Sequence, residues 1–450
     1  MRPSPSPSEA AGLFDGVLAR GRAAAATADD AWLQAMLDVE AALARALAAS
    51  GLIAGEEAEA IAAACRAERF DAAEIGAAAR VTGNPAAPLA RALGEAVEGS
   101  AAAHVHRGAT SQDILDTAAM LVARRALEPL LEDLDAAAVA AATLARAHAS
   151  TPVAGRTLLQ QAVPVTFGLK AAGWLAELAE AAAALRAVRE RLPAQLGGAA
   201  GTLATLDDAG PRVLAAYAAE LDLAEPVLAW HGLRGRVGEL AGALGVAAGA
   251  AGKVARDVTL LAQTEVAEAR EAGGAGRGGS STMPHKRNPV AAICAVACAR
   301  QAPGLVATLL ASMIAEHERA AGAWHAEWRP FSELLRATGS AAAWLRECLE
   351  QLEVDPARMR ANLDVTGGLV LAERVSAALA GALGRAQAHD VVERAAASAV
   401  ASGRPFADVL AEAEPVREHL GGEVAALLDP AAHLGSARAF VERALEAYEP

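Results

Sequence analysis

From Gly238 to about Ala272 the chain reads as a nearly unbroken helical pattern, about 35 residues that span about 50 Å at ~1.5 Å each. A helix of that length can bury its face only against other long helices. The pattern recurs elsewhere. Leu175, Leu178, Ala182 and Leu185 step by three and four along a stretch that opens at Pro164, the seam of a bundle. Another long helix is predicted from the Thr110 cap to about Ala149, bent near Pro129. A further one begins at Pro289 and is expected to kink at Pro303-Gly304.

The apolar content is mostly Ala and Leu, the strongest helix formers, and aromatic residues make up only 3%. No segment reads as a strand, and no internal repeat stands out. The expectation is therefore an all-α protein, with 450 residues enough for two or three domains. Short helices fill the first hundred residues, the clearest being "AWLQAMLDVEAALARALAASG", stopped by Gly51. From Val354 the helices shorten again and Pro and Gly increase. This gives an N-terminal helical domain over 1–103, a central long-helix bundle over 104–350, and a C-terminal helical domain over 351–450.

A net charge of −14 argues against a nucleic-acid partner, which needs a basic footprint to displace phosphate counterions. The opening, "MRPSPSPSEAAG", lacks the apolar stretch of a secretory signal, and its first ten residues, rich in Pro and Ser, are expected to be disordered. The longest charge-free apolar run, Leu240 to Gly252, falls short of the ~18 residues of a membrane span. A cytoplasmic protein with no membrane partner is expected. Four cysteines suggest no disulfide framework. Cys294 and Cys298 share a helix face with no nearby ligand at zinc-site spacing, so they read as small core residues and no metal is expected.

Three polar segments punctuate the helices: "HVHRGATSQDILDTA" (104–118), "TPVAGRTLLQQAVP" (151–164) and "AGRGGSSTMPHKRNPV" (275–290). The third admits two readings. Gly, Ser and Pro dominate plain solvent loops for backbone reasons alone, but they also build mobile lids that carry chemistry. In the first segment, Asp113 and Asp116 look like a carboxylate pair. Their place near a helix start favours capping and dipole roles instead, with Thr110 and Asp113 at capping-box spacing.

Gly279 to Pro289 resembles the GSSxMPxKxNP signature of the fumarase/aspartase superfamily, and the other two segments resemble its remaining substrate-binding regions. "ERAAGAWHAEW", "NLDVTGGLVLAERV" and "LGRAQAHDVV" extend the resemblance over nearly the whole chain. It implies a homotetramer around a twenty-helix bundle, with each active site assembled from three subunits. It also implies cofactor-free addition or elimination next to a carboxylate of a small polycarboxylate substrate, and it favours the lid over the plain loop. The resemblance assigns the proton-transferring role to Ser280 and places His106 against the substrate. His104 has no such match. His325 and Glu327, in "WHAEW", read as a packed helix surface.

This chemistry has a physical difficulty. Charge next to a carboxylate builds up as a dianionic aci-carboxylate, which preorganised donors stabilise by roughly 3–4 kcal/mol each. Lys286 and Asn288 suit that task, with Thr110, Ser111, Thr157 and Gln160 adding hydroxyl and amide donors. Ser281 and Met283 complete the contacts expected from the signature. Serine is a poor base, so Ser280 needs backbone N–H groups and a nearby cation to gain alkoxide character.

Two departures narrow the reaction. Leu158 stands where amine-eliminating relatives carry His, so the imidazole that would protonate a departing amine is gone. A carboxylate, with a reference pKa near ~4, needs neither acid nor base to attack or leave at pH 7. Leu158 therefore fits the lactone-forming branch of the superfamily, in which a substrate carboxylate adds to its own alkene. It fits a nitrosuccinate-type lyase equally well, because nitrite is also a stable anion; elimination from a succinyl-type substrate, of which nitrosuccinate and adenylosuccinate are examples, is the alternative reading. Arg107, where that branch usually has Trp, offers a guanidinium for a second carboxylate.

Overall fold

The computed structural model describes residues 12–272, 278–279, 282–283 and 285–448. Among these, five helices run to 21 residues or more: α1 (Asp29–Ala49), α2 (Ser111–Ala147), α3 (Phe167–Arg189), α4 (Gly235–Leu261) and α5 (Ala323–Glu350). The fold is all-α, as the Ala/Leu periodicity predicts. α2 runs on through Pro129. The helix expected after Pro289 is two helices, Val290–Ala299 and Ala302–Ala311, with Pro303 in the first turn of the second. A ring that lacks an N–H is tolerated there and not in a helix interior.

Two expectations need correction. α4 stops at Leu261 rather than Ala272, and Ala267 takes a positive φ of 50°. Beyond it, Glu268 is fully buried against Arg156 and residues Ala269–Glu271 form a strand, so tertiary pairing overrides helical propensity. Strands are also present, as two small antiparallel ribbons. β1 (Pro152–Thr157) pairs with β2 (Gln160–Thr166), the register slipping between Ala154 and Arg156, and β3 (Ala269–Glu271) pairs with β4 (Leu352–Val354).

The chain forms two compact units. The first comprises the chain up to Leu134, Glu180–Lys253 and Cys294–Leu345. The second comprises Asp135–Ala179, Val254–Ile293 and the chain from Arg346. In the first unit α1 buries Leu33, Leu37, Leu43 and Leu47, each such side chain worth roughly 1.5–3 kcal/mol. Small residues bring helices close: a Cβ on Gly252 would lie 2.7 Å from that of Ala299. In the second unit the short C-terminal helices close around Val375, Leu379, Val391, Phe406, Leu410 and Val416. There, too, Phe167 packs edge-on between His148 and Trp174, and the Trp174 indole donates to Asp257 at 2.8 Å.

All four cysteines are buried thiols outside any disulfide, and burial pushes those of Cys65 and Cys298 up to about 12. Among the described residues, two stretches, Gly235–Leu261 and Val290–Ala311, are long and apolar enough to cross a membrane by length and composition, although neither is free of charged side chains. The first is 56% buried inside the protein and the second only 39%.

Candidate active site

In the first unit the chain enters α2 through a tight turn. His106 has φ 61° and Gly108 φ 83°, and a Cβ at Gly108 would run into Leu206 at 2.8 Å. At the start of α2 the buried Asp113 carboxylate accepts from the Thr110 N–H at 2.9 Å, the capping arm expected from sequence. It also accepts from the Gly197 and Gly198 N–H groups, both at 2.9 Å, and sits 2.7 Å from His231 Nε2. With four partners at full burial, Asp113 is committed to holding this turn.

Asp116 does more than the expected capping. It accepts from both terminal nitrogens of Arg234 at 2.7 and 3.0 Å, from the Trp324 indole at 3.0 Å and from Gln112 at 3.1 Å. The same guanidinium reaches Glu327 at 2.6 Å. Burial works against the Arg234 charge, but two carboxylates outweigh it and raise its pKa. With one cation between two acids, burial and the like charge of Asp116 leave the Glu327 carboxyl above its usual range. Glu327 is thus a core ion-pair partner rather than part of a helix surface. The neighbouring His325 is exposed, 3.1 Å from the Gly83 carbonyl. A cavity of about 540 Å³ beside this triad is walled by Trp32, Met36, Ile75, Trp328 and Phe331. None of the site residues expected from sequence lines it.

Two groups here escaped the sequence reading. Arg319, exposed, donates to the Thr110 hydroxyl at 2.8 Å and to the Gln112 amide oxygen at 3.3 Å. It lies inside "ERAAGAWHAEW", a segment matched only as a block. Glu40, on α1, meets His106 Nδ1 at 2.6 Å. Burial disfavours the imidazolium, yet the Glu40 hydrogen bond and charge, with help from Asp113, hold His106 above the ordinary histidine pKa. The signal was present: Glu40 falls on the same helical stripe as Met36, Leu37, Leu43 and Leu47, where a carboxylate is costly. Arg107 donates to the Leu52 carbonyl at 3.0 Å and lies 3.4 Å from His104, whose other ring nitrogen is 3.5 Å from Glu57. Ser111 is the first residue of α2.

In the second unit, Thr157 and Gln160 face each other as the last pair of the β1–β2 ladder. The two-residue turn between them is Leu158-Leu159, with φ 52° and 66° and exposures of 97% and 77%. The hairpin is anchored at Arg156, whose guanidinium holds the buried Glu268 in a two-pronged pair at 2.8 and 2.7 Å. Asn362 donates to the same Glu268 carboxylate at 2.8 Å and accepts from Gln161 at 2.9 Å.

The signature segment is closed at its base. The Asn288 N–H donates to the Gly278 carbonyl at 2.9 Å, and Gly279 bridges to Arg287. Gly278 has φ 66°, and a Cβ there would stand 2.6 Å from the Asn288 carbonyl oxygen. Just outside, Glu271 accepts from the Ala291 and Ala292 N–H groups at 3.1 and 2.8 Å, capping the next helix. Met283 and Lys286 are exposed and Asn288 half-buried. Ser280 and Ser281 lie outside the described residues. The structure thus groups His106, Arg107, Thr110 and Ser111 in one unit, and the hairpin and signature residues in the other.

Residues 20–304 match the family model described as lyase, and residues 368–444 match that of the adenylosuccinate lyase C-terminus. The chain belongs to the fumarase/aspartase superfamily of lyases, the class that its helices and three polar segments define. It is 49% identical to the 3-carboxy-cis,cis-muconate cycloisomerase of Bradyrhizobium diazoefficiens, over 94% of this chain and 95% of that one. It is 48% identical to the nitrosuccinate lyase of Streptomyces davaonensis, over 98% and 96%. The crystal structure of the 3-carboxy-cis,cis-muconate lactonizing enzyme from Pseudomonas putida superposes with a TM-score of 0.92 at 44% identity, covering 97% of this chain and 99% of that one.

Proposed function

We propose that the chain cyclises 3-carboxy-cis,cis-muconate to a carboxymuconolactone without a cofactor, as a cytoplasmic homotetramer whose active sites each draw on three subunits. One substrate carboxylate oxygen forms a C–O bond to an alkene carbon, and the π pair moves toward the adjacent carboxylate as an aci-carboxylate. Ser280 then delivers a proton to the carbon beside it. Lys286 and Asn288, with Thr110, Ser111, Thr157 and Gln160, supply the cation and donors that make this dianion tolerable. Ser281 and Met283 contact the substrate, and His106 binds one of its carboxylates. Arg107 is turned onto a backbone carbonyl, so Arg319, held by Thr110, is the better-placed second cation.

The observation that carries this reading is Leu158. The side chain offered at the hairpin tip is 97% exposed and has no proton to give, which suits a reaction with no departing amine. The oligomer draws support from Val290–Ala311, an apolar stretch with most of its length unburied within one chain. Elimination of nitrite from nitrosuccinate is the second reading, supported by the 48% identical relative, because nitrite also leaves as a stable anion.

The test is to give purified protein each substrate separately. Loss of the conjugated diene absorbance of carboxymuconate, without fumarate release from nitrosuccinate or adenylosuccinate, is expected. Fumarate release with an unchanged diene would replace the first reading with the second.

A further inference from the structure

Glu40 is 2% exposed on the apolar stripe of α1, where Leu37, Leu43 and Leu47 surround its level of the helix. A lone carboxylate there is costly unless something uses its charge. One oxygen lies 2.6 Å from His106 Nδ1, and the other, Oε2, is buried without a hydrogen-bond partner. His106 itself holds a left-handed backbone, φ 61°, a conformation that a non-glycine residue keeps only when its surroundings impose it.

From this geometry we infer that Glu40 is a positioning residue for His106, fixing the ring with Nδ1 toward the core and Nε2 on its outward edge. The inference rests on the reading that His106 meets a substrate carboxylate. Held this way, the imidazole presents Nε2–H as a cation, which an anion-binding site needs. Were it neutral, it would carry its proton on Nδ1 and turn a lone pair toward the substrate instead.

Two titratable groups, the Cys65 thiol and the buried Tyr217 hydroxyl, stand near Glu40 itself. Glu40 faces the His106 ring from α1 and Asp113 from α2, and on the ring's own segment lie His104 and the Arg107 guanidinium. Asp113 is already taken up by three backbone N–H groups and His231, which leaves Glu40 as the acid that answers to His106.

The test compares wild type with Glu40→Gln, which keeps an acceptor and removes the charge. It uses a histidine NMR titration of His106, assigned by its loss in His106→Asn, alongside the pH profile of kcat/KM for carboxymuconate. In the variant the His106 pKa should fall by roughly 1–3 pH units, and the basic limb of kcat/KM should move down with it while the acid limb stays. An unmoved titration would overturn the proposal, as would a moved titration with an unmoved profile. Should the variant not fold, the wild-type titration decides: a pKa above that of a free histidine supports the coupling, and one at or below it refutes it. Wild type that leaves carboxymuconate untouched would defeat the functional reading, while the titration would still report on the Glu40–His106 pair.

Discussion

Thr157 and Gln160 pair across a two-residue turn whose members, Leu158 and Leu159, both hold left-handed backbones. Such turns favour Asn-Gly, because a left-handed conformation costs a non-glycine residue roughly 1–2 kcal/mol. Leu158→Asn with Leu159→Gly should therefore raise stability by about 1–2 kcal/mol in urea unfolding. The same change should lower kcat/KM for carboxymuconate, since it replaces the apolar tip. A variant neither more stable nor less active would mean that the turn is not strained and its side chains are idle.

Arg319 bonds to the Thr110 hydroxyl from an exposed position. A hydrogen bond to a charged group is worth about 1.5–3 kcal/mol, so Arg319→Met should raise KM roughly 10- to 100-fold, with a smaller effect on kcat. Arg107→Met should do much less. Steady-state kinetics on the two variants would show the reverse order if Arg107 were the carboxylate partner.

Removing the cation from the buried triad strands two acids. Arg234→Met should destabilise the first unit by about 3–5 kcal/mol, and adding Asp116→Asn and Glu327→Gln should recover part of the loss. Denaturation midpoints for the single and triple variants decide this, with equal losses counting against the triad as a charge balance.

Lys286 is exposed, so its loss should spare the fold. Lys286→Met is expected to lower kcat about 10²- to 10³-fold with an unchanged melting temperature. Ser280→Ala should likewise lose most activity while remaining helical by circular dichroism. Near-normal turnover in either variant would remove that residue from the reaction.

The Glu40–His106 pair also makes stability depend on pH. The folded pKa of His106 lies above its unfolded value. Its contribution is therefore complete below the ordinary histidine value of about 6.5 and is lost as pH rises through the folded pKa. The melting-temperature gap between wild type and Glu40→Gln should be widest in mild acid and narrow toward alkaline pH. A constant gap would show that the pair does not titrate.

The helices were legible because Ala/Leu periodicity is local: α1 and α2 begin and end, and α3 begins, within a few residues of the sequence reading. The β1–β2 hairpin was not. It has a register slip beside Gly155 and a Leu-Leu turn in place of the usual turn residues, so no local rule announces it. α4 was drawn too long because, past its end at Leu261, Glu268 answers to Arg156, 112 residues away. In the site, the three polar segments declared themselves by composition. Arg234, however, finds its acids 118 and 93 residues away in sequence, a pairing that spacing cannot reveal. Glu40 lies between these cases, visible as an acid on an apolar stripe but without its histidine.

Glu271 holds the N–H groups of Ala291 and Ala292, and Gly278 holds that of Asn288, so the signature segment is stapled twice at its neck. The entropy of bringing its two ends together is already spent in the resting protein. Lys286 and Asn288 therefore enter any reaction with the chain on both sides of them already joined, and that cost falls on folding rather than on substrate binding.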